Sequence, residues 1–256
     1  MVATQFISSL LFASVAFARV SPAHRRAASK PGPKSHRSSP VSNVATVDHT
    51  AYNGNWAGAV FSEPAGTFTS VVGTFIVPEP SGADGSSTAW VGIDGASCQS
   101  ALIQTGVDFT IKGGVVSYDA WIEYIPAASQ SFTDSISFAS GDSVTLTLAV
   151  TSSTAGTATI ENKTNGQKVS QSISSTTPLC QQDAEWIVED YGVNGSEVAF
   201  DNFGTVVFTD SSATKADGTT VTPFTAALYD IQQNNVVMTS SSLSDSGVTV
   251  KWLSAA

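Results

Sequence analysis

From Ala51 onward the chain alternates between apolar and polar positions. Ser143 to Val150 sets Val144, Leu146, Leu148 and Val150 on one face and Ser143, Thr145, Thr147 and Ala149 on the other, the period of two that marks a half-buried strand. Val248, Val250 and Trp252 alternate with Thr249 and Lys251 in the same way. Similar short runs lie at Phe68 to Val77, Val115 to Ile125, Gly156 to Glu161, Thr205 to Thr209 and Ala226 to Ile231. Asn165-Gly166 falls between Thr157–Ile160 and Lys168–Ile173, the strongest short signal of a β-hairpin. Gly141-Asp142, Asn194-Gly195 and Asp217-Gly218 punctuate the chain elsewhere. No apolar stripe of helical period runs beyond about two turns. Many short strands with one polar face predict an all-β fold, an antiparallel β-sandwich. One segment reads two ways. Asp183 to Gly192 has a capping Asp and a terminal Gly, so it suits a short helix as well as a strand. In either form Glu185 and Glu189 share a face.

The first fifty residues differ in kind. Phe6 to Ala18 is apolar but too short to span a bilayer, and Ala16-Phe17-Ala18 is a small-x-small cleavage site. Residues 1–18 therefore read as a secretory signal peptide. Residues 19 to about 50 are rich in Pro, Ser and cations, the composition of a disordered pro-segment. That leaves residues 51–256 as the mature domain. Charge divides at the same boundary. Arg19, Arg25, Arg26, Lys30, Lys34 and Arg37 are six of the eleven cations, and Asp48 is the one acid among the first fifty residues. The head carries 6 − 1 = +5 and the body 5 − 20 = −15. So acidic a body argues against a nucleic-acid partner, which needs a basic face. No later apolar run is long enough for a membrane helix. The expected product is secreted, extracellular and monomeric, without a membrane anchor.

Cys98 and Cys180 are the only cysteines. In an exported chain an even pair is most simply a disulfide, with two free thiols as the alternative. A loop of that length would contribute roughly 4 kcal/mol in the chain-entropy model. Asn162-Lys-Thr and Asn194-Gly-Ser are candidate glycosylation sites.

Elimination narrows the chemistry. His24, His36 and His49 all lie in the head, so the body has no histidine. Ser-His-Asp and Cys-His nucleophilic arrangements are unavailable there, as is histidine-ligated zinc, and two cysteines cannot make a Cys₄ site. No metal and no cofactor is expected. Gly141-Asp-Ser-Val144 reads as a turn into a strand rather than an esterase motif. Asp245-Ser-Gly247 matches a pepsin-like loop, but in a single copy near the C-terminus of a body too short for two such lobes. Carboxylates, amides, tyrosines and tryptophans remain.

These residue types gather in ordered segments. Asn55-Trp-Ala-Gly-Ala59 is followed by Val72-Gly-Thr-Phe-Ile-Val-Pro78, Ala89-Trp-Val-Gly-Ile-Asp-Gly95 and Ile103-Gln-Thr-Gly-Val-Asp108. Tyr118-Asp-Ala-Trp-Ile-Glu123, Ala184-Glu-Trp-Ile-Val-Glu-Asp190 and Asn202-Phe-Gly-Thr-Val-Val-Phe208 complete the series. In this order and spacing the chain closely resembles the fungal glutamic peptidases, or eqolisins, of the aspergilloglutamic and scytalidoglutamic type. The resemblance spans about Tyr52 to Leu253 and includes the signal-plus-basic-propeptide layout. It implies two packed, bent antiparallel sheets, similar to the concanavalin-like lectins. It also implies an acid endopeptidase acting on proteins and peptides through a Gln–Glu dyad, held inactive by its own pro-segment. Carried over by motif, the dyad is Gln104 and Glu189, with Trp56, Trp90, Asp94, Asp108, Trp121 and Glu123 in support. Ile122 and Tyr124-Ile125 stand where the family more often has aromatics, which bears on the shape of the substrate cleft.

Such a dyad is chemically sufficient. Peptide hydrolysis needs a base to deprotonate water and a donor for the developing oxyanion. A carboxylate serves as the base. A glutamine amide offers a carbonyl to hold water and an NH₂ for the oxyanion, and it does not titrate in strong acid. The other reading is a secreted β-sandwich glycoside hydrolase or lectin-like carbohydrate-binding protein. Glycosidase carboxylates must flank the sugar, whereas Glu185 and Glu189 share one side of one element.

Overall fold

A computed structural model of the chain describes residues 34–36, 43–44 and 50–256. The predicted signal peptide lies outside the described residues, as does most of the predicted pro-segment. The alternating segments pair into two large sheets. In the eight-stranded sheet the order along the main path is Gln167–Ser174, Ala155–Asn162, Ser143–Ser152, Phe68–Ile76, Thr205–Lys215, Gly247–Trp252 and Thr239–Ser244, with Thr220–Val221 attached to Thr205–Lys215. The ten-stranded sheet runs Asn43–Val44, Thr50–Asn53, Ala227–Gln233, Trp56–Ser62, Asp183–Glu189, Gly85–Ile93, Leu102–Lys112, Val115–Ile125 and Gln130–Ser131, with Val236–Val237 attached to Ala227–Gln233. Pairing is antiparallel except between Ala227–Gln233 and Thr50–Asn53.

The all-β sandwich expected from the alternation is therefore the observed fold. The Asn165-Gly166 hairpin joins Ala155–Asn162 to Gln167–Ser174, with Gly166 at φ 75°. Gly141 ends a turn before the Ser143–Ser152 strand, and Asp245-Ser-Gly247 is the tight link between Thr239–Ser244 and Gly247–Trp252. The ambiguous segment is a strand, Asp183–Glu189, at the centre of the ten-stranded sheet.

The two sheets are not equivalent. Ser143–Ser152 keeps buried and part-exposed positions in strict alternation over most of its length. By contrast, every residue of Asp183–Glu189 is buried. Ala184, Trp186 and Val188 join the core between the sheets with Phe75, Leu146, Ile160 and Phe208. Trp186 Nε1 donates to Val72 O at 2.8 Å in the opposite sheet. On the other face, Ile187 packs with Trp56, Trp90, Leu102, Trp121 and Ile125 in a second, smaller cluster. The expectation of one polar, solvated face fails for this strand, because indoles and neighbouring chain cover that face too.

Cys98 and Cys180 form a disulfide. It ties the loop after Gly85–Ile93 to the approach of Asp183–Glu189, two adjacent strands that are far apart in sequence. Replacing both cysteines by alanine is expected to lower the unfolding free energy by about 2–4 kcal/mol through the enlarged unfolded ensemble. Reversible denaturant melts at fixed pH measure it; an unchanged midpoint would show that the corner holds without the bond.

Candidate active site

The ten-stranded sheet orders the motif residues into three rows through its register. Glu189 pairs with Trp56 on one side and Thr88 on the other, and Thr88 pairs with Asp108. Ile187 pairs with Gly58 and Trp90, Trp90 with Gly106, and Gly106 with Trp121. Glu185 pairs with Val60 and Gly92, Gly92 with Gln104, and Gln104 with Glu123. Strand alternation sends all of these side chains to the face away from the inter-sheet core. Gly106 makes the middle row possible, since a Cβ there would sit 2.6 Å from Trp90 Cβ and 2.8 Å from Trp121 Cζ2. The small residue lets two indoles approach across the strand.

Glu189 is fully buried and surrounded by donors. Asn55 Nδ2 donates to its Oε1 at 2.9 Å, and Trp90 Nε1 donates to its Oε2 at 2.8 Å. Trp56 packs edge-on against Trp90, ring centroids 4.7 Å apart, and faces the same carboxylate. Burial raises the Glu189 pKa, while His36, Trp90 and Trp56 oppose the rise. Gln104 Nε2 donates to Glu123 Oε2 at 2.8 Å, which orients the amide, while the buried Gln104 Oε1 has no hydrogen-bond partner in the protein. Burial pushes Glu123 up to about 7, against the opposing influence of His36. Trp121 Nε1 donates to Thr88 Oγ1 at 3.0 Å.

The residues nominated from sequence thus divide. Trp56, Trp90, Gln104, Asp108, Trp121, Glu123 and Glu189 lie in the three rows. Asp94 stands apart at the disulfide corner. It sits at φ 73° and accepts the backbone N–H groups of Gln181 and Gln182 at 2.8 and 2.9 Å, bracing the turn into Asp183–Glu189. Asn162 requires a correction. It is fully buried, and its Nδ2 donates to Ser137 O at 2.9 Å and Asp142 Oδ2 at 2.7 Å. A glycan on that nitrogen would replace one of the two donating N–H groups and needs space that a fully buried side chain lacks, so the structure speaks against Asn162 as a glycosylation site. Asn194 is exposed at its turn.

Three groups escaped the sequence reading. Asn55 lies beside Trp56 in a motif singled out above, but nothing in its position along the chain signals that it reaches Glu189. The other two come from the head. Lys34–Ser35 pairs with Gly192–Val193, which pairs in turn with Ser196–Glu197. At Lys34–His36 the head is therefore ordered by the body rather than disordered. Lys34 is ion-paired with Asp108, and its ammonium lies 5.4 Å from the Tyr191 ring centroid. His36 is fully buried and stacks on Trp121, centroids 4.0 Å apart and 3° from parallel, with Nδ1 3.4 Å from Glu189 Oε2. Burial works to lower the His36 pKa, but Glu189, then Glu123 and Asp108, outweigh it and hold it above the usual range.

A β-sandwich that buries an amide, paired carboxyl groups and indole donors on one sheet face is the arrangement of a glutamic-type acid endopeptidase. Residues 54–252 match the Peptidase A4 family, and the chain belongs to that family, the eqolisins. It is 42% identical over 225 residues to aspergillopepsin-2 of Aspergillus niger, covering 79% of this chain and 78% of that one. It is 37% identical over 260 aligned positions to scytalidopepsin B of Scytalidium lignicola, covering 96% and 97%. The crystal structure of scytalido-glutamic peptidase with a peptide-based transition-state analogue aligns with a TM-score of 0.69 at 40% identity, over 78% of this chain and 98% of that one. The chain is accordingly a hydrolase acting on peptide bonds, and the carbohydrate-directed alternative is not favoured.

The buried acids set the pH dependence of stability. Burial raises Glu123 and Asp190 to about 7, and Asp201 and Asp230 to about 6. Between the unfolded value near 4 and these values, the folded state binds more protons than the unfolded one. The corresponding stability is fully present below about 4 and is lost as pH rises through 6 and 7. Thermal melts of the full chain across pH 3 to 8 are expected to give the highest melting temperature in acid. A steady rise from pH 4 to 7 would contradict it.

Proposed function

We propose that Gln104 and Glu189 carry the hydrolysis as a dyad. The observation that bears this reading is that Glu189 is held by Asn55 and Trp90 while the Gln104 amide is held by Glu123, both on one buried face. In the reaction Glu189 takes a proton from a water whose oxygen attacks the scissile carbonyl. The carbonyl π bond opens, and the oxyanion accepts an N–H from Gln104. As the C–N bond breaks, Glu189 returns the proton to the leaving amine. Glu123 assists by staying protonated in acid. A neutral neighbour places no second negative charge beside Glu189 or the oxyanion, so the donors around Glu189 can hold the ionised form.

The same reading covers the life of the chain. Residues 1–18 direct secretion, residues 19–50 are a basic pro-segment, and residues 51–256 are the mature monomeric enzyme. The pro-segment acts as the enzyme's own inhibitor. Support comes from Lys34–His36, which bring two basic residues against Asp108 and Glu189 and pair as a strand with Gly192–Val193. In acid Glu123, raised by burial to about 7, gains its proton, its attraction for His36 fades, and the segment leaves the site.

Glu189→Gln is expected to lower kcat by at least a thousandfold, the scale of losing an essential base, with an unchanged fold by circular dichroism. Substantial turnover by the folded variant would assign the base elsewhere. Latency is tested separately. Lys34→Ala together with His36→Ala should bind the head less tightly, so that the purified zymogen cleaves a denatured protein at pH 6, where the parent is silent. A double variant that stays latent with its head intact would remove these two residues from the inhibitory contact.

A further inference from the structure

We propose that Glu185 is a positioning residue of the hydrolytic site. Kept as a neutral carboxylic acid, it holds the side-chain carbonyl of Gln104 across Gly92 through a bridging water. The inference rests on the reading of Gln104 as the working amide.

Glu185 belongs to none of the bonds described so far, yet it is fully buried, and neither carboxyl oxygen has a hydrogen-bond partner in the protein. A buried carboxyl without a partner is costly and needs a reason. Its position supplies one. Glu185 and Gln104 are both cross-strand partners of Gly92, one on each side. A Cβ on Gly92 would lie 2.7 Å from Trp90 Cζ3, 3.1 Å from Leu102 Cδ1 and 3.2 Å from Glu185 Oε2, so the Glu185 carboxyl leans toward the glycine, beside the Trp90 ring and Leu102. On the other side of Gly92 in the register stands Gln104, whose Oε1 is the other orphan of this row. Glu123 already takes one N–H of the same amide. From the next strand but one, the Glu185 O–H would reach the carbonyl end of that amide through one bridging water, the nitrogen end being already fixed. Both ends held would aim the remaining N–H at the oxyanion.

The protonation state follows from the surroundings. Glu185 is flanked by Asp183 on its own strand, Asp94 at the end of Gly85–Ile93, and Tyr229 on Ala227–Gln233. Among the described residues none of its electrostatic neighbours is a cation. A neutral acid can donate to a carbonyl; a carboxylate cannot.

The test separates positioning from packing. Glu185→Leu and Glu185→Met remove the donor and the buried polar group together. They should leave thermal stability equal or higher while lowering kcat at least tenfold with KM changed less than threefold. Glu185→Gln retains a neutral donor and should recover at least half of the parent kcat with the acid side of its pH profile unchanged. Gln104→Ala is measured alongside. Full kcat in a folded Glu185→Leu or Glu185→Met enzyme, with Gln104→Ala inactive, would overturn the role of Glu185 alone. Failure of folded Glu185→Gln to recover activity would overturn it as well, since a neutral donor would not suffice. Full activity of Gln104→Ala would sink the dyad reading and this inference with it.

Discussion

The site depends on one constraint: the Asp183–Glu189 strand is buried on both faces. One face carries Ala184, Trp186 and Val188 into the inter-sheet core. The other carries Glu185, Ile187 and Glu189, so two carboxyl groups enter a region that water barely reaches. Each must then find donors or keep its proton. Glu189 has Asn55 and Trp90 at hydrogen-bond distance, whereas Glu185 has none within the protein. Burial raises both of these glutamates, four residues apart, but only at Glu189 do donors and His36 oppose the rise. The tryptophans serve both needs, since their rings fill the volume that keeps the face dry and their N–H groups supply donors of fixed direction.

Where polarity and burial coincide, the sequence was easy to read. Ser143–Ser152, Ala155–Asn162 and the hairpin between them follow the alternation closely, because one side of that sheet meets the core and the other is more open. The central strands of the other sheet break the link between polarity and burial. Glu185, Ile187 and Glu189 look like a solvated face, since periodicity registers contrast in polarity and not the cover laid over it. The residues of the ordered motifs nonetheless come together, because register converts fixed spacing into cross-strand rows. Gln104, Glu123 and Glu189 each sit at a row position that a shift of one residue would turn to the opposite face.

Other features left no trace along the chain. Asn55 reaches Glu189 because Asn53 Oδ1 accepts the backbone N–H groups of both Asn55 and Trp56, each at 3.0 Å, and folds the corner that aims it. That geometry is invisible in a string of polar residues. The sequon at Asn162 carries no information about burial. Lys34–His36 has the composition of an unstructured tail. Its order comes from Asp108 and Glu189, 74 and 153 positions from Lys34 and His36, and from the strand edge at Gly192–Val193, about 160 positions away. Local composition cannot anticipate structure induced by a partner surface.

The charge balance gives that contact its physical sense. Of the body's five lysines, Lys168 and Lys215 form ion pairs with Glu161 and Glu63, away from the site rows. The cations found against Asp108 and Glu189 are instead Lys34 and His36 of the head. At neutral pH a cleft of buried acids with no cation of its own is under strain from desolvation and like-charge repulsion. On the proposed reading, the head relieves both by bringing two basic groups and excluding substrate with the same contact. In acid the need falls, because Glu123, raised by burial to about 7, holds its proton and no longer repels Glu189. Titration that weakens the grip on the head therefore also makes the body less dependent on it. On that reading, inhibition and release draw on the same buried carboxyl groups that favour stability in acid, without a separate switch.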